Sequence, residues 1–456
     1  MKKILIVFTL FPFLLSAQNE DSVFIRKIAN EALINGKAYE NLRYLTKQIG
    51  GRLAGSPQMP KAEKWGAATM QQAGADTVYL QECVVPHWVR GGADKAEIVS
   101  VDNKKQKRSL DVLALGNSLG SGKNGVTADV LAVSSFAELE QRKDEVKGKI
   151  VFYNYPFNPT YIVPGKAYGE SGVYRYTGAS RAAKYGAVGV VIRSLTEATD
   201  NNPHTGAMKY NDSFPKIPAA ALGLKDADYL WQICKEHKNV KLSFFTFGHF
   251  LPDTTGHNVI GEMKGTEGSN SYITVGGHLD SWDVNEGAHD DGTGIVQTIE
   301  VLRLLKTLGY KPKKTIRFVL FANEENGARG AEKYAEQAKA NNENQVFALE
   351  SDEGGFTPRG FSFFVNDEKI EKIKAWKTVF EPYGASELIK GFGGTDIEPL
   401  NTNLHTPIAG FNPDNQRYFD LHHSRGDVFE AVNKRELLLG AINMTALIYL
   451  VDKYGL

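Results

Sequence analysis

Polar segments rich in histidine and carboxylate residues follow three predicted apolar strands, and a fourth such segment lies near the C-terminus. They are GGHLD and GAHDDGTG within 276–294, NEENG at 323–327, ESDEGG at 350–355 and LHHSRGD at 421–427. Imidazole nitrogen and carboxylate oxygen are ligands that zinc accepts in proteins. One such segment alone is usually structural, but several at neighbouring strand ends indicate a metal centre.

Two spacings within these segments have chemical consequences. His278 and Asp280 are two positions apart at a strand end, so their side chains should project together, with the carboxylate placed to orient the imidazole. Glu324 and Glu325 are adjacent, and two bare buried carboxylates would be costly. A bound cation removes that cost for one glutamate and leaves the other free to act as a base.

The sequence around these segments alternates between apolar strands and helices from His257 onward. The strands and helices predicted there are, in order, 272–275, 294–308, 316–322, 330–340 and 346–349. This alternation predicts an α/β fold with a mainly parallel sheet and helices on both faces. In such sheets the ligand site lies outside the carboxyl ends of the strands, which is where the polar segments are found.

The earlier part of the chain divides into segments of different character. Residues 18–115 are predicted to be helical at first and rich in strands afterwards, and we assign them to the N-terminal part of the same α/β domain. A turn-rich stretch at 116–125 precedes strands and helices that look like a self-contained unit. We therefore expect an inserted domain over 116–255 and the metal-binding part of the fold over 256–456.

The N-terminus has the features of a secretory signal peptide. Two lysines precede an apolar run over 4–15, and the small residues Ser16 and Ala17 follow it. The run is shorter than the about 20 apolar residues that a membrane span requires; a buried N-terminal helix is the alternative. We expect a signal peptide over 1–17, no membrane span in the rest of the chain, and an exported protein that is periplasmic or secreted.

Charge and cysteine content exclude several other classes. Lys plus Arg and Asp plus Glu are both 53, so the formal net charge is zero. Nucleic-acid and anionic-membrane partners need a basic surface, and neither is expected here. The two cysteines, Cys83 and Cys234, are too few for a cysteine-based metal site or a disulfide scaffold. We expect two unpaired thiols, with a single disulfide as the alternative.

The polar segments resemble the zinc exopeptidase family that includes bacterial secreted aminopeptidases and the glutamate carboxypeptidases. The likeness covers nearly the whole mature chain and is greatest to the carboxypeptidase Q subgroup, which GRLAGS at 51–56 and VPHWVRG at 85–91 also resemble. The resemblance implies a protease-associated-like inserted domain, two Zn²⁺ ions per chain and a homodimer. It also implies hydrolysis of dipeptides or short peptides with a free N-terminus.

The family pattern, carried over to this sequence, implies a set of zinc ligands. They are His278, Asp290, Glu325, Asp352 and His423. In this pattern Asp290 bridges both ions, His278 and Asp352 complete the first ion's set, and Glu325 and His423 complete the second. Glu350 and His422 compete for two of these places, and the family frames ESD-x-G and HS-x-GD favour Asp352 and His423.

The same resemblance implies roles outside the ligand set. Glu324 would be the general base for a water held between the two ions, which attacks a carbonyl polarised by zinc. Asp280 would orient His278. Asp396, in the segment GGTD at 393–396, matches a family loop near the substrate and is a candidate substrate contact.

Two other functions remain open on the sequence alone. Glutaminyl cyclases share the implied fold but use one zinc ion, and some relatives have lost catalysis and only bind peptides. The complete ligand set and the presence of Glu324 favour hydrolysis over both.

Overall fold

Two eight-stranded β-sheets, with helices packed against them, make up the described chain. The structure is a computed structural model that describes residues 11–268 and 270–456. Residues 1–10 of the predicted signal peptide lie outside the described residues.

Along the described chain, three α-helices come first, five strands follow, and strands and helices are interspersed after them. The strands are β1 (Thr77–Val89), β2 (Lys95–Val101), β3 (Lys104–Leu110), β4 (Val112–Ala114), β5 (Val126–Val133), β6 (Ile150–Tyr153), β7 (Gly189–Arg193), β8 (Ala219–Leu222), β9 (Val240–Phe245), β10 (His249–Met263), β11 (Ser271–His278), β12 (Thr315–Phe321), β13 (Asn344–Glu350), β14 (Pro358–Phe364), β15 (Glu387–Lys390) and β16 (Ile408–Pro413). The α-helices are α1 (Phe11–Asn35), α2 (Ala38–Tyr44), α3 (Met59–Gln72), α4 (Phe136–Gln141), α5 (Pro164–Ala183), α6 (Leu224–Glu236), α7 (Thr293–Thr307), α8 (Arg329–Ala340), α9 (Asp367–Lys374), α10 (Lys377–Phe380), α11 (Glu398–Leu404), α12 (Tyr418–Leu421) and α13 (Lys434–Tyr454).

The first sheet has the strand order β1-β10-β12-β11-β13-β16-β14-β15. Its central strands β12, β11, β13 and β16 pair in parallel. Antiparallel pairs border this centre, with β10 beside β12 on one side and β14 beside β16 on the other. The parallel arrangement that the sequence predicts is therefore found in the centre of the sheet, within a mixed α/β fold.

Helices cover both faces of the first sheet because its central strands are apolar on both sides. Phe318 and Leu320 of β12 lie in the same core cluster as buried residues of α1, α7 and α13. Val319 and Phe321, which alternate with them, lie in the cluster that includes buried residues of α8 and α11. Successive strand residues point to opposite faces, so one strand anchors both helical layers.

Helix α13 is apolar enough to cross a membrane by length and composition alone. In the structure, however, 83% of its most apolar window is buried inside the protein. It packs against α1 and α7. A helix that is hydrophobic on all sides is expected in the core of a large domain, and that is its place here.

The second sheet has the strand order β3-β2-β9-β5-β6-β7-β8-β4. Its strands β5, β6, β7 and β8 pair in parallel. Helix α5 packs on one face, where Val151 and Ile192 share a cluster with Ala179 and Ala182. Helix α6 packs on the other face through Leu230 and its neighbours.

The second sheet begins earlier in the chain than residue 116, where the sequence analysis starts the inserted domain. Strands β2, β3 and β4 precede that residue, and β2 pairs with β9 at the far end of the segment. Strand β1, in contrast, pairs with β10 in the first sheet. The strand-forming composition of 76–115 predicts the strands, but only these long-range pairings assign them to different sheets. Cys83 in β1 and Cys234 in α6 are both free thiols, as predicted.

Candidate metal centre and active site

The polar segments meet because three parallel strands end at the same edge of the first sheet. His278, the last residue of β11, is in register with Phe321, the last residue of β12. Glu350 ends β13 on the other side of β11. The loops that leave these strands therefore converge, and His423 joins them from the turn after α12.

A first group of ligand atoms gathers around His278. Its Nε2 atom lies 3.1 Å from Oδ1 of Asp352 and 3.2 Å from Oδ1 of Asp290. These three side chains each offer one atom within 4.8 Å of the others. The arrangement brings together the residues that the sequence predicts for one metal ion.

A second group lies on the other side of Asp290. Nε2 of His423 is 3.2 Å from Oδ2 of Asp290 and 3.1 Å from Oε2 of Glu325. Asp290 thus directs one carboxylate oxygen toward His278 and the other toward His423. All five predicted ligands are brought together, with Asp290 in the shared position.

The hydrogen bonds among these side chains leave some of their oxygens without a partner, and a bound metal ion would satisfy them. Oδ2 of Asp290 and Oε1 of Glu325 are buried and form no hydrogen bond within the described residues. Unsatisfied buried carboxylate oxygens are costly unless a cation or donor compensates them. Imidazole nitrogen together with carboxylate oxygen is a donor set that zinc accepts.

The electrostatics of the group also favour a cation. Burial raises the pKa of Glu325 to about 8, and repulsion from Asp290 adds to it. Burial likewise raises the pKa of Glu324 to about 7, where Asp352 adds to the shift against the opposing effect of His278. Carboxylates that repel one another in this way are stabilised in their charged form by a nearby positive ion.

Asp280 lies beside the ligands but contacts them differently from the prediction. Its carboxylate accepts hydrogen bonds from the backbone N–H groups of Glu324, at 3.0 Å, and Glu325, at 3.3 Å. Nδ1 of His278 lies 3.0 Å from the backbone carbonyl of Asp280 and 3.9 Å from its carboxylate. The Asp280 side chain therefore fixes the backbone that carries the glutamates, while its main chain orients His278.

Two further residues position the site, and their sequence pattern did not predict it. Asp427 accepts hydrogen bonds from the backbone N–H groups of His289, at 2.7 Å, and Asp290, at 3.2 Å. The buried Arg52 donates to the carbonyl groups of Glu286 and Gly287, at 3.0 and 3.1 Å. Asp427 ends the LHHSRGD segment and Arg52 belongs to GRLAGS, so both lay in segments already noted, without an assigned role.

The competing residues His422 and Glu350 are also near the site. The His422 ring stacks on that of His423 with a centroid separation of 3.5 Å, and its Nε2 lies 3.6 Å from Oδ2 of Asp290. Glu350 accepts a hydrogen bond from the backbone N–H of Ile397 at 3.0 Å. Asp352, rather than Glu350, is therefore the carboxylate that faces His278.

Asp396 is buried beneath the segment that lines the site. Neither of its carboxylate oxygens has a hydrogen-bond partner within the described residues, and burial, together with Glu350, raises its pKa well above the usual value. Its neighbours Gly393, Gly394 and Thr395 line the cleft over the ligands. Its role as a substrate contact stays a prediction.

The cleft over the candidate ligands is lined by both parts of the molecule, the unit built on the first sheet (the first half) and the unit built on the second sheet (the second half). Its volume is about 1420 Å³, and its walls include Asp290, Glu324 and Asp352 from the first half and Tyr168 and Arg175 of α5 from the second. It is large enough for a small peptide.

The second half also contacts a ligand directly. The backbone N–H of Thr205 donates to the carbonyl of His423 at 2.9 Å, and the Thr205 carbonyl lies 3.3 Å from Nδ1 of the same residue. This contact fixes the ring so that its Nε2 faces the carboxylates.

Known proteins resemble this chain in both sequence and fold. The model of "Peptidase family M28" matches residues 258–448, a range that contains all five predicted ligands. Carboxypeptidase Q of Mus musculus is 34% identical over 91% of this chain and 85% of its own length. A crystal structure of a peptidase M28 precursor from Shewanella amazonensis SB2B is 31% identical and superposes with a TM-score of 0.90, covering 95% of this chain and 97% of that one.

A further solved structure, BSAP, a zinc aminopeptidase from Bacillus subtilis, shares the fold. It is 21% identical with a TM-score of 0.66, over 90% of this chain and 94% of that chain. The resemblance that the sequence motifs indicate is confirmed by these matches. The two large sheets and their helices match a solved M28 peptidase structure, and together with the sequence matches this shows that the chain belongs to peptidase family M28.

Proposed function

We propose that this protein is an exopeptidase that binds two Zn²⁺ ions and hydrolyses dipeptides or short peptides with a free N-terminus. The observation that supports it most is the shared position of Asp290, between one ligand group around His278 and a second around His423. A single-ion site would have no use for the second group.

The ligand groups define what each ion would touch. His278, Asp290 and Asp352 would hold one ion, and Asp290, Glu325 and His423 the other. Zinc bound in this way supplies a Lewis acid that polarises a carbonyl and lowers the pKa of water. The names of similar proteins, carboxypeptidase Q and a zinc aminopeptidase, support this chemistry.

Glu324 is the residue we assign to proton transfer. It borders the cleft, and among the described residues it forms no ion pair with His278 or His423, whereas Oε2 of its neighbour Glu325 lies 3.1 Å from Nε2 of His423. The Asp280 carboxylate holds its backbone N–H. In the proposed reaction the Glu324 carboxylate takes a proton from the attacking water and delivers it to the nitrogen of the leaving amine.

The substrate class follows from the charge of the cleft. Glu350 and Glu353 line it beside the ligands. Carboxylates in such a place bind a free ammonium group through charge-assisted hydrogen bonds, and Asp396, buried just behind, remains our candidate for this contact. An acetyl cap would remove the charge and leave a carboxylate without its partner.

Three further proposals rest on the sequence and the resemblance. We infer that the unit built on the second sheet is a protease-associated-like domain, inserted over residues 116–255 and joined in its sheet by β2, β3 and β4. We also infer export to the periplasm or the medium, on the basis of the N-terminal segment, and assembly as a homodimer. Secretion with cleavage near residue 17, and a dimer mass in light scattering, are the expected measurements.

A combined metal and peptidase assay tests the central proposal. We expect about two zinc ions per chain by elemental analysis, cleavage of an unblocked dipeptide, and no cleavage of its N-acetyl form. One ion with cyclisation of N-terminal glutamine would instead support the glutaminyl cyclase alternative. Metal-free protein that binds peptides without turnover would support the inactive binding alternative. Equal rates on the acetylated and free dipeptides would contradict the exopeptidase assignment.

A further inference from the structure

We infer that Arg175 is a specificity-determining residue that binds the free α-carboxylate of the substrate, so that the unit built on the second sheet recognises the C-terminus of a dipeptide. This inference rests on the proposed function, because it adds a second recognised end to the same cleft. Arg175 lies on α5 and lines the cleft.

The Arg175 guanidinium lies close to the second ligand group. Its Nη1 atom is 3.5 Å from Nδ1 of His423, and its Cζ atom is 5.1 Å from the ring centroid of Tyr168. The same Nδ1 lies 3.3 Å from the carbonyl of Thr205. In the tautomer in which Nδ1 donates to this carbonyl and leaves Nε2 to the ligand group, it offers Arg175 no lone pair. The guanidinium is therefore held by the Tyr168 ring, while its donors keep no strong acceptor.

Arg175 differs in this respect from the other arginines of the cleft wall. Arg329 pairs with Glu332 at 2.9 Å, and Arg359 pairs with Asp414. Within the described residues Arg175 forms no ion pair, and its buried Nε atom has no hydrogen-bond partner. A guanidinium is always charged and carries donors in a fork that matches a carboxylate, so an unpaired one beside an active site indicates an anionic ligand.

The backbone beside Arg175 leaves space for this cation. A Cβ atom on Gly206 would lie 2.5 Å from Nη1 of Arg175 and 2.7 Å from Nδ1 of His423. The absence of a side chain there lets the guanidinium approach the ligand group closely. In a dipeptide the free carboxylate lies about 4 Å beyond the scissile carbonyl, which is a distance that an arginine near the second ligand group can reach.

The test uses the full zinc-loaded protein and one dipeptide in two forms, the free acid and the C-terminal amide. We expect the wild-type enzyme to prefer the acid by about tenfold or more. Arg175→Gln should lower kcat/KM for the acid by about 10- to 100-fold, mainly through KM, with a much smaller change for the amide. Arg175→Lys should recover part of the loss because it keeps the charge but not the fork.

Product inhibition and zinc content provide readouts independent of turnover. A free amino acid should inhibit the wild-type enzyme more strongly than its amide, and Arg175→Gln should remove this difference. Zinc content should stay unchanged. Arg181→Gln, which alters an exposed arginine of the same helix α5 that does not line the cleft, is the matched control and should leave both substrates unaffected.

Several results would overturn the inference. Equal wild-type rates on acid and amide would refute it while leaving the exopeptidase proposal intact. An equal loss on both substrates, or a loss of zinc, in Arg175→Gln would show that Arg175 only supports His423. If the wild-type enzyme cleaves neither form, the proposed function itself fails and this inference fails with it.

Discussion

In both sheets of this molecule the parallel strands end at the same cleft. The loops that follow these strands contribute different kinds of residues to it. The loops that follow β11, β12 and β13 carry the ionisable candidate ligands, among them Asp290 and Glu325. The loops that follow β6 and β7 contribute apolar side chains and backbone, such as Ile162 and Met208, to the opposite wall.

This difference shows that architecture alone does not assign chemistry. Both sheets have four parallel strands with a helix layer on each face. At its strand ends the first sheet gathers several buried carboxylates with unpartnered oxygens, among them Asp290, Glu325 and Asp396. The second contributes contacts that orient, such as the bonds between Thr205 and His423. Function therefore resides in the loops grafted on each sheet.

The largest expected effect concerns the separate roles of Glu324 as the base and Glu325 as a metal ligand in the first sheet's loops. Glu324→Gln should lower kcat by about 10²–10⁴ while zinc content stays at the wild-type level, because Glu324 lies outside both ligand groups. Glu325→Gln, its matched neighbour, should lose zinc from the second group. The measurements are steady-state kinetics and elemental analysis. An equal loss of metal in both variants would show that the two glutamates share one role.

A second prediction separates the two carboxylates after β13. Asp352→Asn should weaken zinc binding by more than about 100-fold, since Asp352 lies 3.1 Å from Nε2 of His278. Glu350→Gln should change it little, because burial and repulsion from Asp352 raise the pKa of Glu350 well above its usual value and glutamine resembles the protonated form. A competitive chelator titration provides the comparison. The reverse ranking would make Glu350 the ligand.

A third prediction concerns Asp280, which holds the backbone of Glu324 and Glu325 and is not itself a metal ligand. Asp280→Asn should lower kcat/KM by about 10- to 100-fold, because an amide NH₂ cannot accept the backbone hydrogen bond that a carboxylate oxygen accepts from Glu324 or Glu325. We expect both zinc ions to remain bound. Complete loss of metal would show that the Asp280 side chain acts mainly through His278, as first predicted.

The smallest expected effect tests the second sheet's contribution. Gly206→Ala should lower kcat/KM several-fold, because the new Cβ would meet Arg175 and His423 at 2.5 and 2.7 Å and the backbone φ of 130° disfavours alanine. Gly172→Ala on α5 is the control, since its Cβ meets nothing within 4 Å; it should keep activity and stabilise the fold by about 0.5–1 kcal/mol. Steady-state kinetics and thermal unfolding of both variants measure these effects on activity and stability. Unchanged activity in Gly206→Ala would mean that the second sheet does not position the ligand.

Local sequence signals were enough to predict much of the fold and the ligand set. Apolar runs with polar ends placed His278 and Glu325 at strand ends, and the parallel centre of the sheet brings them together. Local signals could not assign β2 to the second sheet, because its pairing with β9 joins segments more than a hundred residues apart. They also missed the actual contact of Asp280, since spacing along a strand does not determine where a side chain turns after the strand ends.

The contacts between Thr205 and His423 have a consequence for how substrate enters. The backbone and the ring of His423 both contact Thr205 of the unit built on the second sheet. A hinge motion between the two units would therefore pull His423 away from Glu325 and Asp290. Opening the halves to admit a peptide would thus disturb the catalytic centre at each turnover. Substrate and product would instead pass through the opening of the existing cleft, and the width of that opening would limit the size of peptide that can reach the candidate ligands.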